Sequence, residues 1–232
     1  RATLAQAGIT ARLLPDPAVR VADLFDRQIR QRAEAGEPAV CQAAFPSGYL
    51  ALQLGPEFAD DACLDALAAQ LQALLAATGM GLVLFCAGLA PWHDNPATLQ
   101  RLAARLPASP LRLMESARLW DICALIACSR ICVASSLHAR IVATAFGLPR
   151  LRLAPPGASG HSRKLAAYLD SWELPGLLGC VLPAGLADAL LRALAADAGA
   201  LQRQAQSLNA ACRTGLASLG RAEGFSGPDW DP

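Results

Sequence analysis

The sequence predicts a doubly wound α/β domain, a parallel sheet with helices on both faces. Three observations carry that expectation. Short apolar runs such as Tyr49 to Leu54, broken only by Gln53, and Ile131 to Ala134 read as parallel strands buried on both sides. Longer Ala/Leu-rich segments at helical spacing separate them. The joints hold Gly, Pro, Ser or Asn within a few residues, the cadence of repeated strand-helix units.

Taken in order, Arg1 to Gly8 reads as a helix with a glycine stop, and Ile9 to Leu14 as a strand ended by Pro15-Asp16-Pro17. Val19 to Cys41 is helical in part, with Arg27, Arg30, Arg32 and Glu34 on a solvated face. Gly36-Glu37-Pro38 and Pro46-Ser47-Gly48 are loop signals. Tyr49 to Leu54 is a strand, Asp61 to Thr78 a helix stopped by Gly79-Met80-Gly81, and Leu82 to Cys86 the next strand. Thr98 to Leu106 is helical, Leu111 to Met114 a short strand, and Leu119 to Ala127 a helix. Beyond Leu153, a Pro- and Gly-rich stretch containing His161 reads as a mobile loop. Lys164 opens the following helix, Leu177 to Leu182 is the last strand, and Leu186 to Leu219 is one helix or two. Residues 1–222 are thus expected to form a single domain, and residues 223–232 a flexible tail.

Composition narrows the function. Hydrophobic residues make up 54% of the chain, too many for a disordered protein. A net charge of +1 gives no global attraction to nucleic acid or to an anionic membrane. No apolar run is long enough to predict a transmembrane segment, and no secretory leader pattern opens the chain. The eight cysteines form no Cys-x-x-Cys pair and sit mostly in apolar runs, the pattern of reduced thiols and of a cytoplasmic protein. Their spacing to His138 fits no standard zinc pattern, so no metal site is expected. Nineteen of the twenty cationic residues are arginine, and Lys164 is the one lysine.

The stretch from Ser129 to Leu151 organises the rest. It reads as a buried strand, a Ser135-Ser136 turn, a helix opening on His138, and a Gly147-Leu148-Pro149 stop before another strand. Either serine can cap the helix, whose first free N–H groups, with the Leu137 backbone among them, favour an anion. A titratable His138 beside such a pocket, at the carboxyl end of a strand, suits proton transfer; a structural histidine is the alternative. His93 and Asp94 lie at another strand's carboxyl end, where they can line the rim, or the segment can form an Asx-Pro turn whose Asp94 or Asn95 caps the next helix.

Ser-Ser-Leu-His-Ala-Arg-Ile-Val-Ala-Thr-Ala-Phe-Gly-Leu-Pro, from Ser135 to Pro149, resembles the Leu-His-Ala signature of the polysaccharide pyruvyl transferase family. Pro15-Asp16-Pro17, the loop holding Asp94, and Arg163-Lys164-Leu165 resemble further segments of that family, and the likeness extends over residues 1 to 180. The resemblance implies a Rossmann-like, GT-B C-terminal-type domain. It also implies transfer of a pyruvyl group from phosphoenolpyruvate to a sugar hydroxyl pair during cell-surface polysaccharide synthesis, with no other cofactor. In these terms His138 is the catalytic residue, and the Leu137 backbone and Lys164 bind the donor anion, with Ser135 and Ser136 added to that anion site by the local helix-cap pattern alone. His93, Asp94 and Arg140 are rim residues. The expected partners are a small-molecule donor, a glycan acceptor, and an N-terminal domain or partner chain. Two positions depart from the family: Gly55 and Ser136 stand where arginines are expected to grip the donor. Two alternatives remain. One is a GT-B glycosyltransferase domain using a nucleotide sugar, with Glu115 or Asp121 at the ribose hydroxyls; the other is a non-catalytic scaffold.

Overall fold

The computed structural model describes residues 6–8, 11–88, 94–155, 163–177 and 179–222. After a 3₁₀ turn at Pro17–Arg20 come three helices, α1 (Val21–Leu24), α2 (Asp26–Ala35) and α3 (Glu37–Ala44). Then follow β1 (Tyr49–Gln53), α4 (Asp61–Thr78), β2 (Gly81–Leu84), α5 (Pro96–Ala104), β3 (Leu111–Leu113) and α6 (Leu119–Ala127). The second half holds β4 (Ile131–Ala134), α7 (Leu137–Ala145), β5 (Arg150–Leu153), α8 (Arg163–Trp172), β6 (Cys180–Val181), α9 (Leu186–Leu194) and α10 (Ala198–Ala222).

The six strands form one sheet in the order β3-β2-β1-β4-β5-β6, and every pairing is parallel. This is the Rossmann-like order, which turns back on itself between β1 and β4. Leu50 faces Ile131 and Gln53 faces Ala134 across that central pair.

Strand alternation splits the core in two. Leu50, Leu52, Leu82, Leu84, Ile131, Val133, Leu151 and Leu153 pack on one side against α4, α5 and α9. Tyr49, Ala51, Val83, Cys132 and Ala134 face α2, α3, α6 and α7 on the other. Burying each of these leucines fully is worth roughly 1.5–3 kcal/mol. Because both faces are covered, the central strands read as apolar almost throughout, Gln53 at the end of β1 excepted.

Local chemistry fixes the ends. The Asp60 carboxylate accepts from the Cys63 N–H to cap α4, and Gly79 closes that helix in the left-handed conformation at φ +66. Gly147, at φ +63, does the same after α7, where a Cβ would also run into the Gln202 amide. Gly8 has φ +73, while residues 1–5 of the helix expected before it lie outside the described residues.

One expected strand is not there. Residues 11–14 pair with no strand; instead Arg12 donates to the Ser218 hydroxyl at 3.0 Å and Leu14 packs where Gly215 has no side chain. With Leu13 46% exposed, this segment runs along α10 and never enters the sheet. Ile9, the loop 156–162 and the tail 223–232 lie outside the described residues.

Candidate functional site at the carboxyl rim

The parallel sheet brings all strand ends to one rim, and the reversal of strand order between β1 and β4 opens a crevice there. Its floor is Gln53, the last residue of β1, buried to 1% exposure. The Gln53 Oε1 accepts from the Ser136 N–H at 2.8 Å and from the Ser135 hydroxyl at 3.4 Å. Its Nε2 donates to Asp94 Oδ1 at 2.6 Å. Asp94 Oδ2 in turn accepts from the Ala87 N–H, just beyond β2. Ser135 Oγ accepts from the Gly55 N–H at 2.9 Å. One amide therefore locks the ends of three strands into a single polar floor.

Above it stands α7. Ser136 is its N-cap, accepting from the Ala139 N–H at 3.4 Å. The strand therefore runs into a helix start whose free N–H groups and dipole favour negative charge. His138 lies in the first turn with 73% of its side chain exposed, so it is not a buried core histidine. Its Nε2 is 4.0 Å from Asp16 Oδ2, so the Pro15-Asp16-Pro17 and Leu137-His138 segments meet at the rim. Asp16 is itself held by a bond from the Ala18 N–H at 2.9 Å.

Other sequence candidates have different surroundings. Asp94 does not cap α5; Asn95 does, accepting from the Ala97 N–H at 2.9 Å, while Asp94 is spent on the floor. Arg140 is not at the rim. Its side chain is 1% exposed and pairs with Glu173, because two residues after His138 the helix has turned toward the core. Asp121 is buried against Arg32 and the Ser116 hydroxyl, so it is no free carboxylate for a ribose. Hydrogen bonding to Arg32 holds its carboxyl below the usual carboxylate value, against the opposing effect of burial. Lys164 falls in the first turn of α8, but its side chain lies outside the described residues, as does His93. At Gly55 the neighbouring Glu57 carboxylate fills the space a side chain would take.

Glu115 is exposed and lines a pocket of about 310 Å³ beside the floor, formed with Cys86, Pro96, Leu99, Met114 and Ser116. Burial, with a smaller contribution from Asp94, pushes the Cys86 thiol up to about 11. Among the described residues no group of three or more His, Cys, Asp or Glu is placed to hold a metal ion. Nor is any helix among them long and apolar enough to cross a membrane.

Sequence reasoning missed Gln53, whose only signal was an amide at the end of an apolar run. It also missed Glu173, which binds Arg140 and Arg150 from another helix end.

The fold and rim define a Rossmann-like α/β domain with an anion-favouring crevice at its switch point. Neither a family model nor a curated protein sequence matches the chain. Solved structures do resemble it. UDP-GlcNAc 2-epimerase from Neisseria meningitidis bound to UDP-GlcNAc matches with a TM-score of 0.60 at 14% identity, over 95% of this chain and 58% of that one. The trehalose 6-phosphate synthase of Burkholderia multivorans gives 0.57 at 15% identity, over 89% and 47%. The UDP-GlcNAc 2-epimerase of Methanocaldococcus jannaschii, in complex with UDP-GlcNAc and UDP, gives 0.56 at 14% identity, over 85% and 52%. The chain spans about half the length of these proteins, and the likeness is one of fold.

Proposed function

We propose that the domain binds a nucleotide-diphosphate sugar across its carboxyl rim and serves as the donor-binding half of a glycosyl-transferring or epimerising enzyme. One observation carries the reading: the Ser136-capped start of α7 sits at the switch point and is tied through Gln53 to Asp94, two residues before Pro96 of an open pocket on the β2–β3 side of the same rim. The diphosphate suits the helix start. The nucleoside suits the 310 Å³ pocket, where exposed Glu115 can accept from ribose hydroxyls. His138, exposed and paired with Asp16, then faces the reacting end of the donor as a proton-transfer group. The acceptor would be supplied across the crevice, by a further domain or a partner chain.

Pyruvyl transfer from phosphoenolpyruvate to a glycan, implied by the motif resemblance, is the second reading. The approach of His138 to Asp16 favours it, since it unites two of the resembling segments. Against it, Gly55 and Ser136 supply no guanidinium for a small dianion.

Calorimetric titration with UDP, UDP-GlcNAc and phosphoenolpyruvate separates the two readings. The nucleotide reading expects UDP and its sugar to bind, competing for one site, with phosphoenolpyruvate at least tenfold weaker. Binding of phosphoenolpyruvate alone would replace it with the second reading.

A further inference from the structure

A glycine at the end of β1 gives its place to a carboxylate. The alternation of the strand continues past Gln53: Leu54 is buried among the leucines on the α4 side, and Gly55 is extended, at φ −78 and ψ 173. The open side of Gly55 therefore faces the way the Gln53 side chain does, toward Ser135 and Ser136. The Gly55 N–H donates to the Ser135 hydroxyl at 2.9 Å, which fixes it against the start of α7. A Cβ on Gly55 would run into both carboxylate oxygens of Glu57, so it is this carboxylate that lies over the glycine, on the crevice side.

Its support is rigid. Pro56 opens a 3₁₀ turn over Pro56–Phe58, closed by bonds from the Phe58 N–H to the Gly55 carbonyl at 3.2 Å and from the Ala59 N–H to the Pro56 carbonyl at 3.1 Å. Phe58, 0% exposed, anchors the turn in the core. Glu57 itself is exposed, and among the described residues its carboxylate has no hydrogen bond or ion pair.

Strand order decides what meets it. The pocket holding Cys86 and Glu115 opens beyond β2 and β3, whereas the start of α7 follows β4, and β1 lies between β2 and β4. A nucleoside diphosphate with its base in that pocket and its phosphates at α7 crosses the end of β1, and the part that crosses is the ribose. An ionised carboxylate only accepts hydrogen bonds and can take both hydroxyls of a vicinal pair, through bonds stronger than neutral ones. The same charge repels a bare phosphate. Glu115, beyond β3, stands two strands further from α7 than Glu57 does.

We propose that Glu57 is a specificity-determining residue of the crevice, accepting from the ribose hydroxyls of a nucleoside diphosphate and disfavouring ligands that offer phosphate alone. The proposal rests on the donor-site reading of the rim and deepens it. The missing side chain at Gly55 is then what leaves room for the carboxylate.

The test titrates UDP, 2′-deoxy-UDP and inorganic pyrophosphate calorimetrically into wild type, Glu57→Ala and Gly55→Ala, in EDTA so that no metal bridges ligand and carboxylate. Wild type should hold UDP about tenfold more tightly than 2′-deoxy-UDP, as loss of one hydrogen bond to a charged group implies. Glu57→Ala should lose that preference, with pyrophosphate bound no more weakly than by wild type. Gly55→Ala keeps the charge but pushes the carboxylate from its place, and should lose the preference in part. Equal binding of UDP and 2′-deoxy-UDP by wild type, or a preference that survives Glu57→Ala, overturns the proposal and leaves the donor-site reading standing. So does a loss common to all three ligands in Glu57→Ala, the mark of a damaged rim. Failure of UDP to bind wild type removes both.

Discussion

Gln53 and Ser136 meet across the switch point of the sheet, the side-chain oxygen of one accepting from the backbone N–H of the other at 2.8 Å. The contact joins the end of β1 to the cap of the helix that should receive the donor anion. Gln53→Leu would leave that N–H without its acceptor and remove the amide bond to Asp94. It is expected to cost about 1–3 kcal/mol in urea unfolding. UDP affinity should fall as well, because the helix start loses its anchor. A variant that loses stability yet binds UDP normally would confine Gln53 to a structural role.

Glu173 holds two buried arginines at once. Removing one partner of a buried ion pair typically costs about 3–5 kcal/mol, and Glu173→Gln leaves two cations facing each other. Urea melts of the variant should show a loss of that order. The same residue makes the fold acid-sensitive. Burial opposes its charge, but Arg140 and Arg150 outweigh this and hold the carboxyl below its usual 4.5. Its stabilisation is therefore present above that value and lost as pH falls through the lowered one. Wild type should lose stability across this acid range, and Glu173→Gln should lose less over the same range.

His138 is too exposed to matter for folding. His138→Ala should change stability by less than about 0.5 kcal/mol. If the proposed function holds, the same change should reduce turnover by orders of magnitude while leaving UDP binding nearly intact. Thermal melts and initial rates on the same preparation check both halves. Unaltered turnover would take His138 out of the chemistry.

Cys86 reports on the pocket beside Glu115. With its thiol pushed up to about 11, it is almost wholly protonated at neutral pH and should alkylate slowly. Peptide mapping after iodoacetamide treatment should show its modification accelerating as pH rises toward that value. Saturating UDP should slow the reaction if the nucleoside fills this pocket, and identical rates with and without UDP would place it elsewhere.

Local signals made most of the fold legible. Asp60 and Gly79 bracket α4 with a cap and a left-handed stop, and the span read from sequence is the span found. The Ile131 to Ala134 strand and the Leu119 to Ala127 helix were equally plain, because apolar length and turn residues agree there. Ile9 to Leu14 misled for the same reason. Its run looks like a strand locally, but its described part lies along α10, a choice made by a helix two hundred residues away. The rim was legible through Ser136 and His138, which carry their chemistry in adjacent residues. Gln53 and the Arg140–Glu173–Arg150 group were not. Their meaning lies in partners brought together by the sheet, and periodicity carries no trace of such pairs.

The parallel sheet also dictates the order in which the chain can become whole. β1 finds one neighbour in β2, but its other edge stays bare until β4 arrives, after α4, α5 and α6 have been laid down. Until then a strand that is apolar up to Gln53 presents unpaired N–H and C=O groups to whatever is nearby. Long-range pairings of this kind slow folding and expose intermediates to self-association. A chain stalled between Leu113 and Ile131 would be the species most prone to aggregate, and β4, the strand that leads into the candidate site, is also the one that closes this window.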